Sequence, residues 1–441
     1  MSDHPSFETF AALVAGSLEA GARKRAIRHL VAGCVQCADA AAAAYRELER
    51  KGFAAAPRHR PESYEFPVRY ALRTARASFA RLERERDAAA REVAEALAGG
   101  APLKVLGTRE AAGLRGWARA EALLDRVESI LSESPARALQ LADLAVAVAA
   151  RLDPRAHPAG HVADLRCRAW AELGNAQRLI GDLVAAEVSM IQAQEHGGQG
   201  TGAPRLAADL LDRGASLRID QRRFAEAGEM LDRLIALRRA EGRPSLVGKA
   251  LVLQGIAAVY AEDPQRARGK FLAALAELDP EADGRLVLIA NHNLVDCEIE
   301  LGRFAEARRA QRSLAPLYER HAGEMDRLKR RGQEGKIAAG LGDFAAAEAI
   351  FRETRESYRR HGMPLYVALA DLDLAAVWVR ERRFAEVFEV ADQLVGSFSA
   401  LGIGREALAS FLLLREAARN EQATTALVRE VMAQLVREAA L

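Results

Sequence analysis

The chain has 441 residues, half of them hydrophobic and 5% aromatic, with Ala, Leu, Arg and Glu the dominant types. Its 63 basic and 61 acidic residues leave a net charge of +2, which gives no global basis for nucleic-acid binding. No apolar run reaches 18 residues and four cysteines make no disulfide framework, so an all-α cytoplasmic protein without a membrane span is expected.

In chain order, FETFAALVAGSLEAG is amphipathic and predicts a helix from about Phe7 to Arg28. The stretch RHLVAGCVQC comes next, with His29, Cys34 and Cys37. Two cysteines separated by two residues can reach one ion, and zinc takes four N or S ligands in a tetrahedron. His4, one helix upstream, is the candidate fourth ligand. The local reading is helix, a turn at Gly33, Cys-x-x-Cys, then a helix from about Cys37 whose N-terminus favours thiolates. A structural zinc, the same fold without metal and a redox-active dithiol all remain open. Catalytic zinc is disfavoured because no carboxylate base accompanies the ligands.

This set resembles the zinc-binding domain of zinc-associated anti-sigma factors. That family has a His, a Cys-x-x-Cys at a helix junction and an upstream His or Cys about one helix earlier. His29, Cys34, Cys37 and His4 match those positions, with four residues between His29 and Cys34 where the family has three. The resemblance covers about residues 1–50 and implies zinc and a partner such as a sigma factor. Arg23, Lys24, Arg25 and Arg28 just upstream read as a solvated face or a contact for an acidic partner.

Residues 51–63, KGFAAAPRHRPES, carry two prolines and no period and read as a linker. A long charged helix is predicted from Tyr64 to Leu97, ended by AGGAP (98–102), so that residues 64–115 form a bridge to the C-terminal region.

From about residue 116 to 441 the chain repeats. GDLVAA, RRFAEA, EDPQRA, GRFAEA, GDFAAA and RRFAEV end at residues 186, 227, 267, 307, 347 and 387, in steps of 41, 40, 40, 40 and 40. A weaker copy, SPARA, lies at 134–138. Each copy is an apolar-periodic segment, a tight turn and a second such segment, which is a helical hairpin. One hairpin cannot bury its apolar face alone, so the hairpins must stack. The small residues Ala186, Ala227, Ala267, Ala307 and Ala347 let paired helices approach closely.

AWAELGNAQRLIGDLVAAEVSMIQAQ (169–194) resembles a tetratricopeptide repeat at Trp170, Leu173, Gly174, Gly181, Ala186 and Ala193. The resemblance implies an α-solenoid of about seven hairpins whose first helices line a concave face. In that register Arg168, Asn175, Arg178, Arg218, Lys249, Tyr260, His292, Asp296, Lys329, Lys336 and Arg380 face the groove. Basic groups outnumber acidic ones among these, which implies a protein or extended peptide partner of acidic character. A merely solvated, Arg-rich face is the competing reading. Cys167 and Cys297 read as small buried hydrophobes.

No phosphate-binding glycine loop, nucleophile elbow or triad pattern is present, so no enzyme is expected. Three functions are compatible with these features: a regulator with a zinc-binding N-terminal domain and a binding groove, a scaffold whose N-terminal domain is only structural, or a DNA-binding regulator with a repeat sensor. The last lacks a recognition-helix pattern.

Overall fold

A computed structural model describes residues 4–31, 34–51, 62–98, 113–131, 133–153, 157–401 and 405–439. Its described residues form 21 α-helices and no strand. The chain divides into two compact units, 1–83 and 84–441, with the boundary inside the helix Glu62–Ala98. Residues 52–61 of the expected linker (51–63) and 99–102 of the AGGAP stop (98–102) lie outside the described residues, while Glu62, Ser63 and Ala98 belong to the helix Glu62–Ala98.

The first unit holds α1 (Phe7–Val14), α2 (Ala20–Val31), α3 (Val35–Arg50) and the start of α4 (Glu62–Ala98). One helix from Phe7 to Arg28 was expected, and two are found. The chain turns at Gly16, whose φ of 71° is left-handed backbone that glycine adopts without a side-chain clash. The turn lets α1 fold back onto α3. Their shared core is Phe10, Ala26, Cys37 and Ala44, with Leu13, Leu18 and Leu30 packed around it. Three of those four core residues are small, so among the described residues the apolar core shared by these helices is slight.

The second unit is an α-solenoid of stacked helical hairpins. The first is α5 (Gly113–Ile130) with α6 (Pro135–Ala150), the second α7 (Ala159–Leu179) with α8 (Leu183–Gly198), and the third α9 (Pro204–Asp220) with α10 (Phe224–Ala240). Then come α11 (Pro244–Tyr260) with α12 (Pro264–Glu277), and α13 (Gly284–Glu300) with the pair α14 (Phe304–Ser313) and α15 (Ala315–His321). Pro316 explains that broken second helix, because it lacks the N–H that a continuing helix needs. The last three hairpins are α16 (Glu324–Gly340) with α17 (Phe344–Arg360), α18 (Pro364–Arg380) with α19 (Phe384–Leu401), and α20 (Arg405–Arg419) with α21 (Thr425–Ala439). That makes eight among the described residues, one more than the repeated turns mark, because the last hairpin turns without the Phe-Ala signature.

Hairpin closure is repetitive chemistry. Ala186, Ala227, Ala267, Ala307 and Ala347 are all fully buried. Across from them, Gly255 and Gly335 stand so near Phe271 and Phe351 that a Cβ on either glycine would lie 2.5 Å from the ring. In the fifth hairpin the equivalent positions hold Val295 and Gln311, both buried, and Gln311 donates through Nε2 to the Arg330 carbonyl at 3.1 Å. The second half of α4 caps the array: Val93 joins the core of the first hairpin, and Arg86 pairs with Glu121 at 2.8 Å.

Candidate metal centre and repeat groove

His4 immediately precedes α1, whose N-cap Ser6 accepts a hydrogen bond from the Thr9 N–H at 3.3 Å. His29 lies in the last turn of α2, Cys34 just before α3 and Cys37 in the first turn of α3. The gap between His29 and Cys34 includes residues 32–33, outside the described residues. A hydrogen bond from the Cys34 N–H to the His29 carbonyl at 3.4 Å joins the two ends of this gap.

The α1–α3 packing brings all four side chains to one point, with ligand atoms within 4.8 Å of one another. Cys34 Sγ lies 3.4 Å and Cys37 Sγ 3.5 Å from His4 Nδ1, and Cys37 Sγ lies 3.2 Å from His29 Nδ1. A tetrahedron with zinc–sulfur and zinc–nitrogen bonds of ordinary length has S···N edges of about 3.5 Å. The donor set and spacing therefore fit zinc. The two imidazoles stand edge to face at 71°, with centroids 5.1 Å apart. Burial pushes the Cys37 thiol above its ordinary range, and Cys34 beside it adds to the effect. A cation between the sulfurs would reverse both influences.

The groove is where first helices of successive hairpins face a common space. A cavity of about 850 Å³ is lined by α5, α7, α9, α10 and α11, and includes Arg168, Asn175, Arg178 and Lys249. A second, of about 500 Å³, is lined by α13, α16, α17 and α18 and includes His292, Asp296, Lys329 and Lys336. Arg218, Tyr260 and Arg380 line neither cavity. They sit in the last turns of their helices, where Arg218 pairs with Glu187, Arg380 donates to the Ala339 carbonyl at 3.1 Å, and the Tyr260 carbonyl accepts from Arg222 at 2.9 Å.

The expected basic excess is absent from the larger cavity, which is lined by seven basic and seven acidic residues. Most of its bases are matched by an acid on the first helix of an adjacent hairpin. Arg168 pairs with Asp125 at 2.8 Å, Arg178 with Asp220 at 2.6 Å and Lys249 with Asp212 at 2.7 Å. Arg213 pairs with Glu172, which is only 1% exposed. Arg178 also donates to Asn175 Oδ1 at 3.0 Å, and His292 Nδ1 lies 2.5 Å from the Tyr318 hydroxyl. The acids escape a reading that takes each helix by itself. Partners lie 37 to 43 residues away, and the repeat lag is the signal that finds them. Cys167 and Cys297 are buried as expected, and burial pushes both thiols up to about 12.

No family model and no curated protein matches the sequence. Among solved structures, the chain is similar to aspartyl phosphate phosphatase F from Bacillus subtilis, at 12% identity, 96% coverage of this chain, 98% of that one and a TM-score of 0.49. It is similar to the apo form of RapI at 12% identity, 80% and 95% coverage and a TM-score of 0.48. A signal-transduction ATPase with a tetratricopeptide repeat sensor from Pyrococcus horikoshii aligns at 15% identity with a TM-score of 0.45 over 60% of this chain, which spans 39% of that protein's length.

Proposed function

We propose that this chain is a non-enzymatic interaction protein, acting in the cytoplasm, in which a structural zinc fixes the first unit and the repeat groove takes a protein or peptide. The observation that carries the first half is the convergence of His4, His29, Cys34 and Cys37 from three segments onto one point. A unit with so small an apolar core gains most from a metal staple, because zinc binding is then folding free energy. The groove half rests on the first helices that line both cavities with polar and charged side chains. Balanced charge in the larger cavity favours a partner read by paired hydrogen bonds rather than by bulk acidity.

The resemblance of residues 1–50 to anti-sigma domains makes a bacterial sigma factor the first partner to test, with regulation of transcription as the consequence. Metal analysis of the purified chain beside Cys34→Ser, together with capture of transcription proteins by both, tests this reading. One zinc per chain, lost with the serine along with the captured partner, is expected. Absence of zinc from the wild type overturns the metal half. Partner capture that survives loss of zinc would instead favour a scaffold whose first unit is only structural.

A further inference from the structure

Within the array, first helices of neighbouring hairpins are joined by a ladder of charge pairs: Arg168 to Asp125, Arg178 to Asp220, Lys249 to Asp212 and Arg285 to Asp326. Lys336 on α16 and Asp373 on α18 lie 37 residues apart, the lag that separates Asp212 from Lys249, with the order of acid and base reversed. Both line the 500 Å³ cavity, and each is the other's strongest charged neighbour. Yet among the described residues neither makes a hydrogen bond or a contact ion pair. The Tyr358 hydroxyl, which interacts electrostatically with both, also donates to no partner among them.

The Lys336 and Asp373 side chains are half-buried rather than sealed from water, and opposite charges drawn part-way out of solvent without touching leave each other incompletely satisfied. Burial raises the Asp373 carboxyl to about 6, although Lys336 pulls it down. Asp373, then Asp296 and Glu300, hold the Lys336 ammonium above the ordinary lysine range against the effect of burial. The cavity wall is mixed: His292, Asp296, Lys329 and Gln333 line part of it, while on another part Tyr366 stacks on Tyr358 with centroids 5.1 Å apart, Lys329 lies over the Tyr366 ring, and Leu369 also lines the space.

We propose that the open rung between Lys336 and Asp373 is a binding site for a small zwitterion, a free amino acid or a dipeptide. Its carboxylate meets Lys336, its ammonium meets Asp373, and an apolar side chain lies against Tyr366 and Leu369. The inference deepens the proposed groove function and shares its premise that the first-helix face is the binding face.

Isothermal titration of the full chain with L-phenylalanine, phenylalaninamide, N-acetylphenylalanine and glycylphenylalanine tests it. Phenylalanine or the dipeptide is expected to bind, and which of them binds tells the source. Each capped derivative, lacking one charge, should bind at least about tenfold more weakly, since each loses one charge-assisted pair. Lys336→Met and Asp373→Asn should lose the same ligand. The capped pair on the wild-type protein keeps the test valid should either variant fold poorly. Equal binding of capped and uncapped forms, or no binding of any probe, overturns the proposal. Silence of all four probes while a protein partner is still captured through the groove overturns this pocket alone, whereas phenylalanine binding without any captured partner overturns the protein-partner reading alone.

Discussion

Arg178 of the second hairpin places Nη1 2.6 Å from Asp220 Oδ2 of the third, 42 residues later in the chain. A similar lag, 41 residues in each case, joins Arg213 to Glu172 and Arg285 to Asp326. A 40-residue period thus does more than stack apolar faces. It puts a base on one first helix beside an acid one repeat away, and the larger cavity of the groove is lined by a neutral ladder.

Arg213 and Glu172 form the most buried rung, and removing one partner leaves the other charge uncompensated. Arg213→Met is expected to cost about 3–5 kcal/mol at pH 7, read by urea unfolding. Burial already holds the Glu172 carboxyl above its ordinary value of 4.5, against the pull of Arg213. The folded chain therefore binds that proton more tightly than the unfolded chain does. Stability linked to Glu172 is fully present below pH 4.5 and is lost as pH rises through the raised folded value. The variant should regain part of its loss between pH 7 and pH 5, relative to wild type. A deficit that does not change with pH would refute the assignment.

Gly255→Ala sets a Cβ 2.5 Å from the buried Phe271 ring. Overpacking of this kind costs about 1–3 kcal/mol, more than the helix propensity that alanine brings. Thermal melts should show the loss, and Phe271→Leu in the same chain should recover part of it. Additive losses in the double variant would show that the contact is not the cause.

Arg382 closes its first helix at φ 61°, where Gly181, Gly302 and Gly342 close theirs. A side chain in left-handed backbone costs about 1–2 kcal/mol, so Arg382→Gly should stabilise the array by roughly 0.5–1 kcal/mol. Arg222→Gly, at φ 59°, should gain less, because Arg222 also donates to the Tyr260 carbonyl at 2.9 Å and stacks over Phe224. A larger melting shift for Arg222→Gly than for Arg382→Gly would contradict this ordering.

Chelation should separate the two units. Removing zinc is expected to unfold the segment holding Phe10, Ala26, Cys37 and Ala44, leaving the cooperative melt of the array unchanged. Hydrogen exchange along the chain, with and without chelator, gives the readout. Zinc retention should also fall as the pH is lowered toward about 5, because the cysteines must be thiolates to bind. Unchanged protection of residues 7–50 in the absence of metal would show that packing alone holds the unit.

The hairpins and their close approach were legible in the sequence, because a 40-residue lag of Phe and Ala is a one-dimensional signal of helix–helix contact. The converging set His4, His29, Cys34 and Cys37 was legible too, since the residue types and spacing that a metal would need can be read along the chain. Other features needed three dimensions. The turn at Gly16 depends on a backbone angle and on what α1 packs against, and the broken helix at Leu314 on how the fifth hairpin accommodates Pro316. The neutrality of the larger cavity arises between helices that are distant in sequence, so each helix read by itself shows Arg178 without Asp220. The open rung at Lys336 was least visible of all. Its sequence spacing matches that of a closed pair, and only tertiary packing decides which opposite charges touch and which line a cavity without touching.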